Sequence, residues 1–224
     1  WGRFDTRSGE DGGFRIGGLA PGELELSASE PGATSRFARS ESLVVQAGTR
    51  GIVLRVEPAA SLAGRLVAGA APFAGDADLL ICRSDGTLPV EGLTMRRVRG
   101  GTFDVGGLGA GVWGVGVTTR DGRVGVLGGI TLAPGQRRDG LVVQLEPGAE
   151  LRVRDGLGEA LAGSTISVHV DGACLGWNGV APGAVATFQV PGGRLRVVAV
   201  SDGAVVAEAT VDVLAGEVAE VVLE

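Results

Sequence analysis

Gly13-Phe14-Arg15-Ile16-Gly17-Gly18-Leu19-Ala20-Pro21-Gly22-Glu23-Leu24-Glu25-Leu26 is the first occurrence of a phrase that the chain repeats. It returns as Thr102-Phe103-Asp104-Val105-Gly106-Gly107-Leu108-Gly109-Ala110-Gly111-Val112-Trp113-Gly114-Val115. A shortened version reads Phe188-Gln189-Val190-Pro191-Gly192-Gly193-Arg194-Leu195-Arg196-Val197. Self-similarity at a regular period marks an array of like modules. Each phrase reads as a strand, a glycine corner and a second strand. Phe14, Phe103 and Phe188 head the equivalent strands and are expected to point into a core, with Leu24, Trp113 and Leu195 in one inward column.

Other signals keep the same register. Ala47-Gly48, Pro134-Gly135 and Ala215-Gly216 each precede an apolar closing strand, at 52–56, 141–145 and 219–223. Gly135 lies 87 residues after Gly48, and Gly216 lies 81 after Gly135. Glu57-Pro58 and Glu146-Pro147 follow the first two closing strands, and a new apolar run opens after each. These marks divide the chain into 58–146 and 147–224 as complete modules, with 1–57 as the back half of another. Proline at the junctions stiffens them.

Alternation argues for strands. In Glu23-Leu24-Glu25-Leu26 and Arg194-Leu195-Arg196-Val197 every second residue is apolar. In 205–213 the odd-numbered positions are apolar, while Glu208, Thr210 and Asp212 take the other row. A period of two sends one row inward and the other to water, as in antiparallel sheets with one solvated face. Asp-Gly occurs seven times, a pair suited to tight hairpins because both residues tolerate positive φ. Frequent turns between short strands predict an all-β chain of tandem antiparallel sandwiches. No amphipathic helical segment is available as a crossover for a parallel α/β fold.

Composition narrows the function classes. All 20 basic residues are arginine and the net charge is −6. The arginines are dispersed, with Arg96, Arg97 and Arg99 the one cluster, so no basic stripe points to nucleic acid. No apolar run is long enough for a membrane helix. Trp1-Gly2-Arg3-Phe4 reads as strand rather than signal peptide, so the chain is expected to be part of something longer. Cys82 ends the run Leu79-Leu80-Ile81-Cys82, and Cys174 lies in a different module. A buried thiol is the default reading of each, and a bridge between modules is the other.

The pattern Asp-Gly-x-Phe-x-Ile-x-Gly-Leu-x-Pro-Gly-x-x-x-Leu, beginning at Asp11, followed by Ala-Gly and a closing strand, resembles carboxypeptidase regulatory-like domains. Their relatives include transthyretin-like sandwiches and collagen-adhesin B-type repeats. The likeness is close over Asp11–Ala28 and good over Phe103–Val117. The third copy keeps Phe188, Val190 and Gly192-Gly193 but lacks the Gly-Leu pair. The resemblance implies seven-stranded Greek-key (Ig-like or prealbumin-like) sandwiches of exported bacterial proteins, extracellular, periplasmic or on the cell surface. Such modules act as spacers, accessory modules or adhesive repeats, and some bind glycans. The lysine–asparagine isopeptide bond of some relatives cannot form here, because the chain has no lysine.

Candidate sites are few. His169 is the one histidine. A zinc peptidase needs a cluster of such ligands, and a Ser-His-Asp triad has no nucleophile-elbow motif here. Alternation in 165–170 places His169 toward water. Asp76, Asp78 and Asp85 could approach one another at the ends of one hairpin, but a calcium ion needs six or more oxygens. For glycan contact the best residues are Trp177 and Asn178, a ring and an amide near a turn. The expectation is therefore a non-catalytic structural spacer or adhesive array with no cofactor and no metal. Its partners would be neighbouring domains of the same polypeptide, or a cell-surface glycan or protein. An accessory carbohydrate-binding module is the alternative.

Overall fold

The structure is a computed structural model that describes residues 4–30, 35–84, 94–156, 164–179, 184–201 and 204–224. For Thr94, Asp155 and Trp177 it describes the backbone only. The described residues form strands and turns, and the fold is all-β.

Two short strands come first, β1 (Glu23–Leu26) and β2 (Leu43–Gln46), paired antiparallel with Glu23 opposite Gln46. A first sandwich follows. Its strands are β3 (Ala60–Ala68), β4 (Ala71–Pro72), β5 (Ala77–Arg83), β6 (Thr94–Val98), β7 (Thr102–Leu108), β8 (Gly111–Thr119), β9 (Arg123–Leu132) and β10 (Arg137–Pro147). The second comprises β11 (Ala149–Asp155), β12 (Thr165–Val170), β13 (Ala173–Gly179), β14 (Val185–Val190), β15 (Gly193–Ser201), β16 (Ala204–Val213) and β17 (Val218–Leu223).

The two have the same topology. In the first, β7-β3-β10 faces β9-β8-β5-β6, and β4 extends the β7 edge. In the second, β14-β11-β17 faces β13-β12-β15-β16. In the first, β10 also touches β9 at Glu146–Val124 and Pro147–Arg123, which joins the two layers at one corner. In both, the first and last strands are parallel neighbours: β3 with β10, and β11 with β17.

Alternation builds each core. Leu62, Leu66, Leu79, Ile81, Phe103, Val105, Trp113, Val115, Val117, Val143 and Leu145 come from both layers of the first sandwich and meet in one cluster. Leu151, Val153, Ile166, Val168, Phe188, Val190, Leu195, Val197 and Leu223 do the same in the second. Along β16, Ala207 and Val213 are buried and Ala209 and Val211 half-buried, while Glu208, Thr210 and Asp212 are exposed. The Asp-Gly signal is clearest at Asp171-Gly172, the two-residue turn between β12 and β13. Both residues there have positive φ, 47° and 75°, as the twist of a two-residue hairpin requires.

Residues 4–57 differ from the sequence expectation. Phe14 is 37% exposed rather than buried, and Leu24 is half-buried. The closing segment 52–56 forms no ladder, although Phe37 bridges to Pro58. The reason is geometric. Phe103 near the start of β7 and Phe188 in the second half of β14 lie on strands beside β3 and β11, under a facing sheet. Among the described residues before β3 there is only the β1–β2 pair, so no facing layer covers Phe14.

Candidate functional site at the joint between the sandwiches

β10 ends at Pro147 and β11 begins at Ala149, so a single residue, Gly148, links the sandwiches. Its N–H donates to the Gly122 carbonyl at 2.9 Å, and an added Cβ would stand 2.7 Å from that oxygen. The link is therefore pinned by backbone contact.

A second contact secures the joint. On β8 the residues Trp113, Val115 and Val117 turn into the first core, and Gly114 and Gly116 occupy the opposite row. The tip of the β12–β13 hairpin lies against that row. A methyl at Gly114 would overlap the Gly172 carbonyl, one at Gly116 the Cys174 carbonyl, and one at Gly128 of β9 the Asp171 carbonyl. Glycine is needed at these places because another backbone approaches closely. The Ser84 hydroxyl donates to the Gly172 carbonyl. β5 is consequently buried on both faces: Leu79 and Ile81 inside the core, Leu80 and Cys82 under the second sandwich. Leu80, Cys82 and Cys174 form a separate apolar cluster there.

Both cysteines are buried. The Cys174 N–H donates to Cys82 Sγ at 3.0 Å. Burial, with the neighbouring thiol second, pushes the Cys174 thiol up to about 12. The signal for this joint was in the sequence: the outward row of β8 is glycine where a solvated strand carries polar side chains. Periodicity alone gives no partner for such a row.

The other expected sites fall as follows. His169 is on the outer row but is not open to water. It lies half-buried, with Nε2 2.8 Å from Ser167 Oγ, and burial followed by the Arg196 charge brings its pKa down to about 4. Ser167 is fully buried, and Glu208 accepts from two Arg196 nitrogens at 2.7 and 2.9 Å. A neutral imidazole beside a sealed hydroxyl satisfies a buried polar group; it does not present a nucleophile to a substrate. Asn178 is exposed on β13, and the Trp177 side chain lies outside what is described, so no geometry joins the two. Asp78 pairs with Arg97 at 3.3 Å, and Asp85 lies outside the described residues. No group of three metal-ligating side chains occurs among the described residues. Of the arginine cluster, Arg97 is thus committed to an exposed pair worth little energy. Trp113 is 3% exposed, its indole N–H donating to the Gly109 carbonyl at 2.9 Å and the Arg83 guanidinium 5.7 Å from the ring centre. β9 and β10 part beyond their corner and leave an open cleft lined by Leu127, Ile130, Thr131, Arg138 and Leu141. Among the described residues, Arg138 is the one charged group lining it. No helix among the described residues is long and apolar enough to cross a membrane.

No protein-family model matches the chain, and no curated protein sequence matches it. Solved structures overlap it loosely. The Bacillus anthracis TIE protein is 16% identical at a TM-score of 0.31, over 97% of this chain and 44% of that one. The Streptococcal ancillary pilin is 13% identical at 0.28, over 92% and 75%. A putative adhesin from Bacteroides ovatus is 12% identical at 0.28, over 73% and 93%. This chain thus spans less than half of the TIE protein, and overlaps this loose say nothing of its activity or partners.

Proposed function

We propose that the chain is a non-catalytic spacer or adhesive array of an exported bacterial protein, extracellular, periplasmic or on the cell surface. It consists of the back half of a carboxypeptidase regulatory-like sandwich at 1–57 and complete sandwiches at 58–146 and 147–224. Neighbouring domains of the same polypeptide are its partners, with a surface glycan or protein as a further one. The observation that carries the reading is the joint. A one-residue link and a hairpin seated in a glycine row join the two sandwiches closely. Parallel pairing of first and last strands sends the chain in at one end of each sandwich and out at the other. A spacer needs both features; a glycan module needs neither. The alternative of an accessory carbohydrate-binding module rests on Trp177 and Asn178 alone.

Backbone relaxation measured by NMR tests the reading. Amides of β3–β10 and of β11–β17 are expected to report one common tumbling time. Two shorter, different times would mean a hinge rather than a stiff joint and would remove the spacer reading. Glycan-array binding lost in Trp177→Ala would favour the alternative.

A further inference from the structure

Cys82 and Cys174 are 92 positions apart and belong to different sandwiches, yet the Cys174 N–H reaches Cys82 Sγ at 3.0 Å. With that distance and ordinary bond lengths, the two Cα atoms stand within about 7 Å, inside the span a disulfide can bridge. They are the only cysteines in the chain, so no other thiol competes. Each sits at the joint, at 1% and 0% exposure, in the small cluster with Leu80. While the joint is closed, the Cys174 thiol is protonated and shielded, and the thiolate is the species that reacts. Reaction therefore belongs to the moments when the Asp171-Gly172 hairpin lifts off the row of Gly114, Gly116 and Gly128.

We propose that Cys82 and Cys174 form a redox latch, closed by thiol–disulfide exchange with a low-molecular-weight disulfide, that fastens the second sandwich covalently to the first. One cysteine, as the thiolate, attacks a sulfur of the small disulfide. The small S–S bond breaks, a protein–small-molecule disulfide forms and one small thiolate leaves. The second cysteine thiolate attacks the protein sulfur of that mixed disulfide, forms the Cys82–Cys174 bond and expels the second small thiolate. The two protein sulfurs are oxidised, the small disulfide is reduced to two thiols, and these take up the two protons that the cysteines lost. Either cysteine can attack first, with the same product. The bond converts a joint held by backbone contact into one that stays closed when the hairpin is strained.

The test uses the full chain with oxidised glutathione, once under native conditions and once during refolding from denaturant. Thiols are then titrated in denaturant and the peptides mapped by mass. The expected result in at least one arm is joint loss of both thiols, a mass fall of about 2 Da, and one peptide pair linked through Cys82 and Cys174. Cys174→Ser should abolish the link and leave Cys82 as a free thiol or a glutathione adduct. Two free thiols, or separate adducts on both cysteines, after both treatments would overturn the proposal. Gly116→Val supplies a second reading, because its side chain holds the hairpin off β8. Thiol labelling under native conditions should then quicken on the order of tenfold or more as the sulfurs gain access. An unchanged labelling rate would show that the joint does not guard the pair, which also overturns the latch.

Discussion

Phe103 and Phe188 are each 5% exposed, whereas Phe14 heads the same sequence phrase at 37%. Identical chemistry in unequal surroundings makes a direct test of burial. Phe103→Ala or Phe188→Ala should each cost about 3–5 kcal/mol, the loss of apolar transfer plus a cavity. Phe14→Ala should cost well under about 1 kcal/mol, as exposed substitutions do. Denaturant melts of the three variants measure this, and equal losses would mean that Phe14 is packed after all. His169 gives a pH-dependent counterpart. Its pKa falls from 6.5 in the unfolded chain to about 4 in the fold, through burial and then the Arg196 charge, with Glu208 opposing. The unfolded chain therefore takes up the proton first as pH drops. The stability that neutral His169 contributes is complete above about pH 6.5 and is lost as pH falls toward 4, a change of roughly 3 kcal/mol. An imidazole proton titration should show a midpoint near the low value, and His169→Gln should flatten the stability profile across that window. A midpoint near 6.5 would place the ring in water.

At the scale of the element, the parallel pairs have a mechanical meaning. β3 and β10 run side by side from Ser61–Arg137 to Ala68–Leu145, and β11 and β17 from Glu150–Val218 to Asp155–Leu223. Tension between the ends of either sandwich slides these strands past each other. Parallel ladder bonds are evenly spaced, so all share the load and must fail together. β1 and β2 meet the same tension differently. Glu23 and Gln46 are opposite each other at the end that is pulled, so that ladder opens one pair at a time. Single-molecule extension of the full chain should thus show an early release at low force, then two releases at severalfold higher force. Sandwiches that open at the force of the β1–β2 pair would refute the shear argument. Much of this architecture was legible beforehand. The alternation in 205–213, the Asp171-Gly172 turn and the repeated corner after Phe103 each reflect local rules that a strand obeys wherever it lies. The joint was not. That Gly114 and Gly116 face a neighbouring backbone, and that Cys82 meets Cys174, depends on how two sandwiches dock, and no local periodicity encodes docking. Phe14 and His169 were misplaced for the same reason: whether an outward or inward row is wet depends on what lies opposite it.

For the whole molecule, apolar surface is unevenly distributed. In the first 57 residues Phe4 is 52% exposed, Phe37 39%, Leu43 41%, Val44 64%, Val53 71% and Val56 40%, in addition to Phe14. The sandwiches also expose Met95, Val142, Val185, Val205, Val206, Leu214, Val218 and Val222, but there many other large side chains fill two closed cores. A two-stranded pair is marginal in water without a further layer, and an uncovered strand edge beside apolar side chains is a template for association. Contiguous exposed apolar surface is costly and tends to be covered. This segment is tied down in part: Ala38 is buried, its N–H donates to the Glu57 carbonyl at 2.9 Å, and the Ala59 N–H, at the start of the first sandwich, donates to the Arg36 carbonyl at 2.8 Å. That anchor holds 36–59 in place without supplying a facing sheet for Phe14 or Val44. The full chain should therefore self-associate as its concentration rises, while the fragment 58–224 stays monomeric and more soluble. Sedimentation velocity on the two across a concentration series separates the outcomes. Matching monomeric profiles, with the amides of β1 and β2 as protected from hydrogen exchange as those of β8, would show that the first 57 residues are already closed by contacts of their own.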